Sequence, residues 1–272
     1  MTNYALFFLV ILLANIIQGI TGFAGTILAM PPSLMLVGYP VAKPVLNVLG
    51  LLSGIYVFAG HRKAVNWTEL KKIVAVMAVG ILGGILIKGM FVGKEEILYK
   101  LLGIFVIILA IQGGITLRRE GRPGDAAGTG GTESPDAAAG HKDRETGAIS
   151  RASAKDSPAL VALLGLAGVV HGIFVSGGPL LISYLTKKIK DKVSFRATIS
   201  TVWIFLNTLI LLDDVRAGFW TTELFIIQLI SLPFLLAGMY IGSKLYVRMS
   251  QRLFMTITYV LLFISGISLL VK

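Results

Sequence analysis

Long uncharged apolar segments alternate with short polar or basic segments along most of the chain. Residues 73–87 and 254–271, for example, contain no charged side chain. Each lies in a window of about 20 residues, the helix length needed to cross about 30 Å of hydrocarbon. The short alternating strands of a transmembrane barrel are lacking. The pattern therefore predicts an all-α polytopic membrane protein.

Composition agrees with this prediction, since 55% of the residues are hydrophobic and only 14% are charged. The chain contains no cysteine, which excludes disulfides and thiolate metal sites, and its three histidines are isolated. A net charge of +11 in such a chain indicates basic cytoplasmic loops rather than nucleic-acid binding. We interpret the first apolar run, residues 4–18, as a retained segment rather than a signal peptide, because no basic residue precedes it.

One stretch departs from the apolar pattern. Residues 118–157, which include "GRPGDAAGTGGTESPDAAAGHKDRE", consist mainly of small and charged residues. Such a segment cannot bury a core, so we predict a disordered linker. It separates a first membrane repeat, residues 1–117, from a second, residues 158–272.

The two halves look like copies of each other. A shift of 153 residues, the separation of Trp67 from Trp220, also places Gly19 on Gly172 and Lys43 on Arg196. The tryptophan match is the more informative one, because the chain has only three tryptophans. Each half has five apolar segments. They cover about 4–21, 25–38, 42–60, 71–92 and 97–117 in the first half, and about 158–175, 178–186, 196–212, 221–243 and 252–271 in the second.

Segment length and loop charge together predict inverted repeats. The second segment of each half is too short to span, so we expect a broken or re-entrant hairpin and an odd number of crossings per half. Loops 61–72, 187–196 and 244–252 are basic, whereas their counterparts in the other half are not. Placing the basic loops in the cytoplasm puts both termini outside and the linker inside. This is the pattern of an inverted-repeat transporter.

A helix break interrupts the apolar stretch "HGIFVSGGPLLISYL" at residues 176–179. Unwound backbone at membrane depth is tolerated only where it is buried in protein or lines a wet cavity. Proline suits the first turn of a new helix, whose free N–H groups and partial positive charge favour an anion. The first half has a similar break in "QGITGFAGTILAMPP". The alternative is that these small residues only let helices pack closely.

We expect side chains and backbone near the two breaks to bind the substrate. His171 is the only ionisable side chain deep in a predicted span, and its partner in the repeat is Gln18. Whether His171 carries a proton or only bonds between helices stays open. Arg196 either attracts anions or follows the positive-inside rule, and the polar residues of the third segments either line the path or bond between helices. The candidate substrate-binding residues are Gln18, Thr21, Gly22, Gly25, Thr26, Asn47, His171, Ser176, Gly177, Gly178, Pro179, Arg196, Ser200 and Asn207.

Three charged residues lie near predicted segment ends. Lys88 is within a turn or two of its helix end, so we expect it to snorkel to the interface. Asp213 and Asp214 fall at a predicted membrane edge, where we expect them to be solvated.

The stretches "QGITGFAG…MPP", "HGIFVSGGPLLISYL" and "SFRATIS" resemble the TauE/SafE sulfite exporters, also called toluene-sulfonate uptake permeases. The resemblance covers nearly all of the chain except the linker. It implies a multi-pass protein of the bacterial or archaeal cytoplasmic membrane that moves sulfite, sulfoacetate or other organosulfur anions. The sequence departs from the family pattern at Val175, where relatives often have glycine, and at Ala24, within the Gly-Phe-Gly pattern.

The leading functional hypothesis is therefore an exporter of sulfite or small organosulfonate anions. A passive anion channel or facilitator and a non-transporting membrane scaffold are the alternatives. A hydrolase using Ser176 and His171 is disfavoured, because the two lie five residues apart across a helix break with no carboxylate to orient the histidine. The predicted partners are the anion and the lipid bilayer, with no nucleic acid, cofactor, metal or catalytic residue. Coupling to H⁺ or Na⁺ and a homodimer stay open.

Overall fold

Helices make up nearly all of the chain that the computed structural model describes. The described residues are 2–22, 24–90, 95–120, 157–189 and 191–246, together with 256, 259–260, 263–264, 266–267 and 270. The helices are α1 (Thr2–Thr21), α2 (Gly25–Val37), α3 (Tyr39–His61), α4 (Trp67–Met90), α5 (Glu95–Glu120), α6 (Pro158–Phe174), α7 (Gly178–Lys188), α8 (Lys192–Arg216) and α9 (Thr222–Tyr246), with a 3₁₀ turn at Arg62–Ala64. No strand occurs within these ranges, which confirms the all-α prediction.

Five of the described helices are long and apolar enough to cross a membrane. Their apolar spans are Asn3–Ile20, Tyr39–Ala64, Trp67–Met90, Val193–Arg216 and Thr222–Leu245. Large apolar side chains such as Val79, Leu86 and Met90 are more than 70% exposed. An apolar outer surface of this extent suits contact with lipid rather than with water. The chain is therefore a multi-pass membrane protein.

The two predicted breaks lie directly after α1 and α6. Gly22 and Val175 both adopt left-handed backbone, with φ of 81° and 55°. Their N–H groups donate to the carbonyl oxygens of Gln18 at 2.7 Å and His171 at 2.8 Å. A left-handed residue that bonds back to the last turn is a common way to end a helix. Positions 22 and 175 are separated by the same 153 residues as the two tryptophans that define the repeat.

The helices that follow the breaks are short. α2 has 13 residues and α7 has 11. At about 1.5 Å per residue, neither can cross about 30 Å of hydrocarbon on its own. This agrees with the prediction that the second segment of each half does not span.

The most extensive contacts between the described helices of the two halves are those of α1 with α9, α4 with α6, and α3 with α8. α3 and α8 are antiparallel, because Lys43 near the start of α3 contacts Asp214 near the end of α8. At the opposite ends of these helices, the N–H of Asn66 donates to Oγ1 of Thr198 at 2.9 Å. The interface between the halves therefore runs along the full length of α3 and α8.

Gly19 and Gly172, which match in the repeat, lie where helices of opposite halves touch. A Cβ added at Gly19 of α1 would lie 2.9 Å from the carbonyl oxygen of Met239 in α9. A Cβ added at Gly172 of α6 would lie 2.7 Å from the carbonyl oxygen of Ile81 in α4. Since real Cβ atoms do not approach so closely, both positions need glycine for close helix packing.

Every predicted segment within the described residues corresponds to a helix, with shifts of a few residues at the ends. α5 continues to Glu120, slightly beyond the predicted end of the first repeat at 117. Most of the predicted linker, 118–157, and most of the last predicted segment, 252–271, lie outside the described residues.

Candidate functional site

A small cavity lies where the two breaks meet the long helices α3 and α8. Its lining combines backbone of the breaks with amide, hydroxyl, imidazole and indole side chains. The lining residues are Gln18, Thr26, Ile27, Gly50, His171, Val175, Ser176, Gly178, Trp203 and Asn207. Its volume is about 10 Å³, which leaves room for about one water molecule. We call this space the central cavity.

His171 connects three elements at the second break. It is 2% exposed, and its Nε2 lies 2.8 Å from Oδ1 of Asn207 in α8. Its Nδ1 faces the N–H of Gly177, at 3.5 Å. Because a backbone N–H can only donate and an amide oxygen can only accept, this pattern assigns a neutral ring with the proton on Nε2. The ring also packs against Trp203, with 4.9 Å between ring centroids.

Gln18, the repeat partner of His171, makes the corresponding hydrogen bonds at the first break. Its Oε1 accepts from the N–H of Gly25 at 2.8 Å, which satisfies a free donor at the start of α2. Its Nε2 donates to Oγ of Ser53 in α3 at 3.2 Å. Gln18 and His171 therefore both reach from the helix before a break to the backbone after it and to the third helix of a repeat.

Among its described residues, α7 contributes only Gly178 to the lining of the central cavity, so what it offers there is backbone. The first hydrogen bond inside α7 runs from the N–H of Leu181 to the carbonyl of Gly177, at 3.2 Å. The N–H groups of Gly178 and Leu180 precede that bond and have no intrahelical acceptor. The Ser176 hydroxyl donates to the carbonyl of Phe174 at 2.9 Å, so its oxygen, rather than its proton, is offered to the cavity.

A second group of predicted residues surrounds the first break without lining the central cavity. Nη2 of Arg196 donates to the carbonyl of Gly19 at 2.8 Å, at the end of α1. A Cβ added at Gly22 would lie 3.1 Å from Cγ of Arg196 and 3.3 Å from Oγ of Ser200. Ser200 is 1% exposed, and its hydroxyl has no hydrogen-bond partner in the described part of the chain.

Asn47 occupies the position in α3 that matches Ser200 in the repeat. Its Nδ2 donates to the carbonyl of Asn207 at 3.0 Å, whereas its Oδ1 is buried without a partner among the described residues. Both halves thus place a buried oxygen with unused hydrogen-bonding capacity about two turns into the third helix.

The structure thus brings six of the predicted site residues together and places the others around them. Those lining the central cavity are Gln18, Thr26, His171, Ser176, Gly178 and Asn207. Those nearby but outside its lining are Gly22, Gly25, Asn47, Gly177, Arg196 and Ser200. The side chains of Thr21 and Pro179 lie outside the described residues.

The family model described as Sulfite exporter TauE/SafE matches residues 7–269, nearly the whole chain. The chain belongs to the TauE/SafE sulfite exporter family. A search of curated proteins and a search of solved structures each found no match. Membership confirms the resemblance seen in the two glycine-rich stretches. The protein is thus a multi-pass member of a family of sulfite exporters.

Four residues that line the central cavity in this TauE/SafE protein were not among the predicted site residues: Ile27, Gly50, Val175 and Trp203. Trp203 lies on the same face of α8 as three predicted residues, Arg196, Ser200 and Asn207, at spacings of four, three and four. That helical spacing was a signal that could have revealed it. Gly50 is the repeat partner of Trp203, so one repeat offers a large side chain where the other offers none.

A buried cluster of four charged residues lies at the end of α8, away from the central cavity. Lys43 pairs with Asp214, and both side chains are fully buried. Lys88 pairs with Asp213 at 2.6 Å, with side-chain exposures of 15% and 16%. The prediction that Asp213 and Asp214 are solvated was therefore wrong, and Lys88 pairs with a carboxylate rather than simply snorkelling. Two lysines from α3 and α4 supply the counter-charges that permit this burial.

Proposed function

We propose that the protein exports sulfite or a small organosulfonate anion and binds it in the central cavity between the two helix breaks. The observation that carries the proposal is the meeting of both breaks at one polar cavity, in a chain of the TauE/SafE family. An interrupted helix in a membrane protein is expected where the backbone itself binds a substrate.

The chemistry of the lining favours an anion. None of the ten lining residues is a carboxylate, and the start of α7 directs free N–H groups and a partial positive charge at the cavity. Backbone and side-chain donors can bind an anion in a low-dielectric site without an adjacent cation. Arg196 lies beside the first break rather than in the lining, which suits attraction of an anion on its way to the cavity.

The size of the cavity favours a transporter over an open channel. At about 10 Å³ it leaves room for about one water molecule, so in this conformation a sulfite-sized anion cannot pass without movement of the walls. Gated access to a central site is the behaviour of a secondary transporter. A continuously open facilitator does not need such a closed site.

An inverted repeat would explain how the site opens alternately to each side. The helix pairs α1–α9 and α4–α6 support it, because the 153-residue shift converts one pair into the other. The antiparallel packing of the third helices, α3 and α8, supports it as well. In this proposal both termini face the outside, the linker of residues 118–157 lies in the cytoplasm, and the membrane is the cytoplasmic membrane of a bacterium or archaeon.

Counterflow in proteoliposomes tests the transport proposal. Vesicles loaded with sodium sulfite should accumulate labelled sulfite from the medium when they contain the protein, and should not do so when protein-free. A channel would only equilibrate the label without transient accumulation. Absence of both accumulation and equilibration, in protein shown to be folded, would favour the scaffold alternative.

Cysteine labelling tests the topology separately. Because the chain has no native cysteine, single cysteines report without background. Lys63→Cys, in the exposed turn after α3, should react with a membrane-impermeant maleimide only from the cytoplasmic side. Ala217→Cys, in the exposed turn after α8, should react only from outside. Labelling of both from the same side would contradict the inverted arrangement.

A further inference from the structure

The charged cluster at the end of α8 contains a site shaped for an oxyanion. One oxygen of Asp213, Oδ2, lies 2.6 Å from Nζ of Lys88 and 3.5 Å from Nζ of Lys43. The two ammonium groups also lie 5.9 Å and 6.0 Å from the ring centroid of Phe219. Two lysines from different helices thus converge on one oxygen beside an aromatic wall. We call the two ammonium groups and their surroundings the lysine site.

The two carboxylates of the cluster differ in burial. Asp214 is fully buried against the fully buried Lys43, and this pair is the inner part of the cluster. Asp213 and Lys88 keep 16% and 15% of their side-chain surface exposed, so they form its rim. Breaking the fully buried Lys43–Asp214 pair would cost more than moving Asp213, whose carboxylate already reaches the surface. Asp213 is therefore the exchangeable member.

The lysine site and the central cavity lie on the same pair of helices, α3 and α8. Asp213 follows Asn207 by six residues on α8, which corresponds to about 9 Å along the helix axis. Lys43 similarly precedes Gly50, which lines the cavity, by two turns of α3. In the topology proposed above, this end of α3 and α8 faces the outside of the membrane.

We propose that Lys43 and Lys88 form a second anion-binding site at the outer end of the transport path, in which the Asp213 carboxylate stands in for the transported anion. When Asp213 swings out, two lysines face one remaining carboxylate, Asp214, so the site has a net charge of +1. A singly charged oxyanion such as a sulfonate would then place an oxygen where Oδ2 now lies. When Asp213 returns, it competes with the bound anion and promotes its release.

The inference rests on the proposed function for the role of the site in export, but binding to the lysine site can be measured without transport. The probe is sodium methanesulfonate, titrated calorimetrically into the purified full-length protein at constant ionic strength. Gly178→Leu serves as the background, because it is designed to block the central cavity. In that background Asp213→Asn should restore binding of one anion per chain, since the isosteric amide removes the competing charge.

Lys88→Met, added to Gly178→Leu and Asp213→Asn, should weaken the restored binding at least tenfold. Restored binding that does not depend on Lys88, or no restored binding in folded protein, would overturn the inference. Size-exclusion profile and thermal melting establish folding, and Asp213→Ser replaces Asp213→Asn if the amide variant misfolds.

The same titrations separate the two proposals. If the variant with Gly178→Leu alone binds the probe as tightly as the unchanged chain does, the anion does not bind in the central cavity. The lysine site is then tested by whether Asp213→Asn, in the otherwise unchanged chain, raises the number of anions bound per chain by one. If Gly178→Leu abolishes binding and the added Asp213→Asn does not restore it, the result supports binding in the central cavity and overturns the proposal of the lysine site.

Discussion

The two helix breaks share a backbone geometry but are built from different residues. Both end their helix with a left-handed residue, which is Gly22 in the first half and Val175 in the second. Both are held by the side chain at the matching position of the preceding helix, which is an amide at Gln18 and an imidazole at His171. The comparison teaches that the repeat conserves where the backbone turns, whereas the chemistry offered to a ligand differs between the halves.

The left-handed residues at the two breaks, Gly22 and Val175, also differ in backbone strain. Glycine adopts φ near 81° without a steric penalty, but a β-branched residue at 55° is strained. Such a residue costs roughly 1–3 kcal/mol and is tolerated where surrounding contacts impose it. Val175 lines the central cavity, so the strained backbone lies where we propose that the anion binds.

A similar asymmetry holds for the third helices. α8 places Trp203 and Asn207 at the interface, whereas the matching positions of α3 are Gly50 and Gly54. A Cβ added at Gly50 would lie 2.6 Å from Nδ2 of Asn207. The glycines of the first half therefore make room for the larger side chains of the second, and the cavity is lined unequally by two similar halves.

The largest expected effect comes from adding a side chain at the start of each short helix. Gly178→Leu should abolish binding of sulfite to purified protein while the chain stays folded, because Gly178 lines the central cavity, which leaves room for about one water molecule. Gly25→Leu should instead impair folding, because a Cβ there would lie 2.7 Å from Cβ of Gln18 and 2.9 Å from the carbonyl of Ala14.

Calorimetric titration and thermal melting, read together, distinguish these two outcomes. Gly114→Leu is the matched control, because no atom lies within 4 Å of a Cβ added there. Normal binding by folded Gly178→Leu would mean that the second break serves helix packing and that the anion binds elsewhere.

Removing Asn207, the hydrogen-bond partner of His171, should have the next largest effect on stability and sulfite affinity. Asn207→Ala leaves the buried Nε2 of His171 without its acceptor, which costs about 1–3 kcal/mol in stability. We expect a lower melting temperature and at least a tenfold loss of sulfite affinity. Thr208→Ala, on the exposed side of α8, removes a hydroxyl that bonds only to its own helix at Ile204 and should change neither value much. Equal effects of the two substitutions would argue against a specific role for the His171–Asn207 bond.

The positions of the breaks could be predicted because their cause is local. Glycine and proline interrupt an apolar run at Gly177, Gly178 and Pro179, and the repeat places a second interruption near Gly22. That Gln18 and His171 occupy matching positions in the two halves could also be predicted from the repeat alone.

The charged cluster could not be predicted in the same way. Lys43 and Asp214 are 171 residues apart, and they meet only because α3 and α8 pack antiparallel. Near the end of an apolar segment, a lone aspartate is indistinguishable from a solvated one until its partner helix is known. Asn47 and Ser200 illustrate the same limit, since their position in the repeat was visible but not which of their atoms would lack a partner.

Exchanging the left-handed residues should give a smaller and unequal pair of effects. Gly22→Val introduces strain and a Cβ 3.1 Å from Cγ of Arg196, so it should destabilise by roughly 1–3 kcal/mol. Val175→Gly removes strain of a similar size, but it also removes a side chain that is only 2% exposed and adds unfolded-state entropy, so these terms oppose each other and the stability should change by only about 1 kcal/mol. Melting temperatures in the same detergent test both. A stable Gly22→Val variant alongside a strongly destabilised Val175→Gly variant would show that the two breaks are not held as the comparison describes.

The smallest expected effect concerns Ser176, the hydroxyl that distinguishes the second break. Its proton is engaged by the carbonyl of Phe174, so Ser176→Ala removes one local bond and leaves the N–H groups of α7 in place. Because this proton does not face the anion, the effect is indirect, through the bond that holds the break, and a loss of at most about 1 kcal/mol, or several-fold in sulfite affinity, is expected. Thr26→Val at the first break keeps the side-chain shape and removes the corresponding hydroxyl from the cavity lining. If the second break contributes more to anion binding, Ser176→Ala should weaken sulfite binding more than Thr26→Val does in the same titration. The reverse order would place the anion nearer to α2 than to α7.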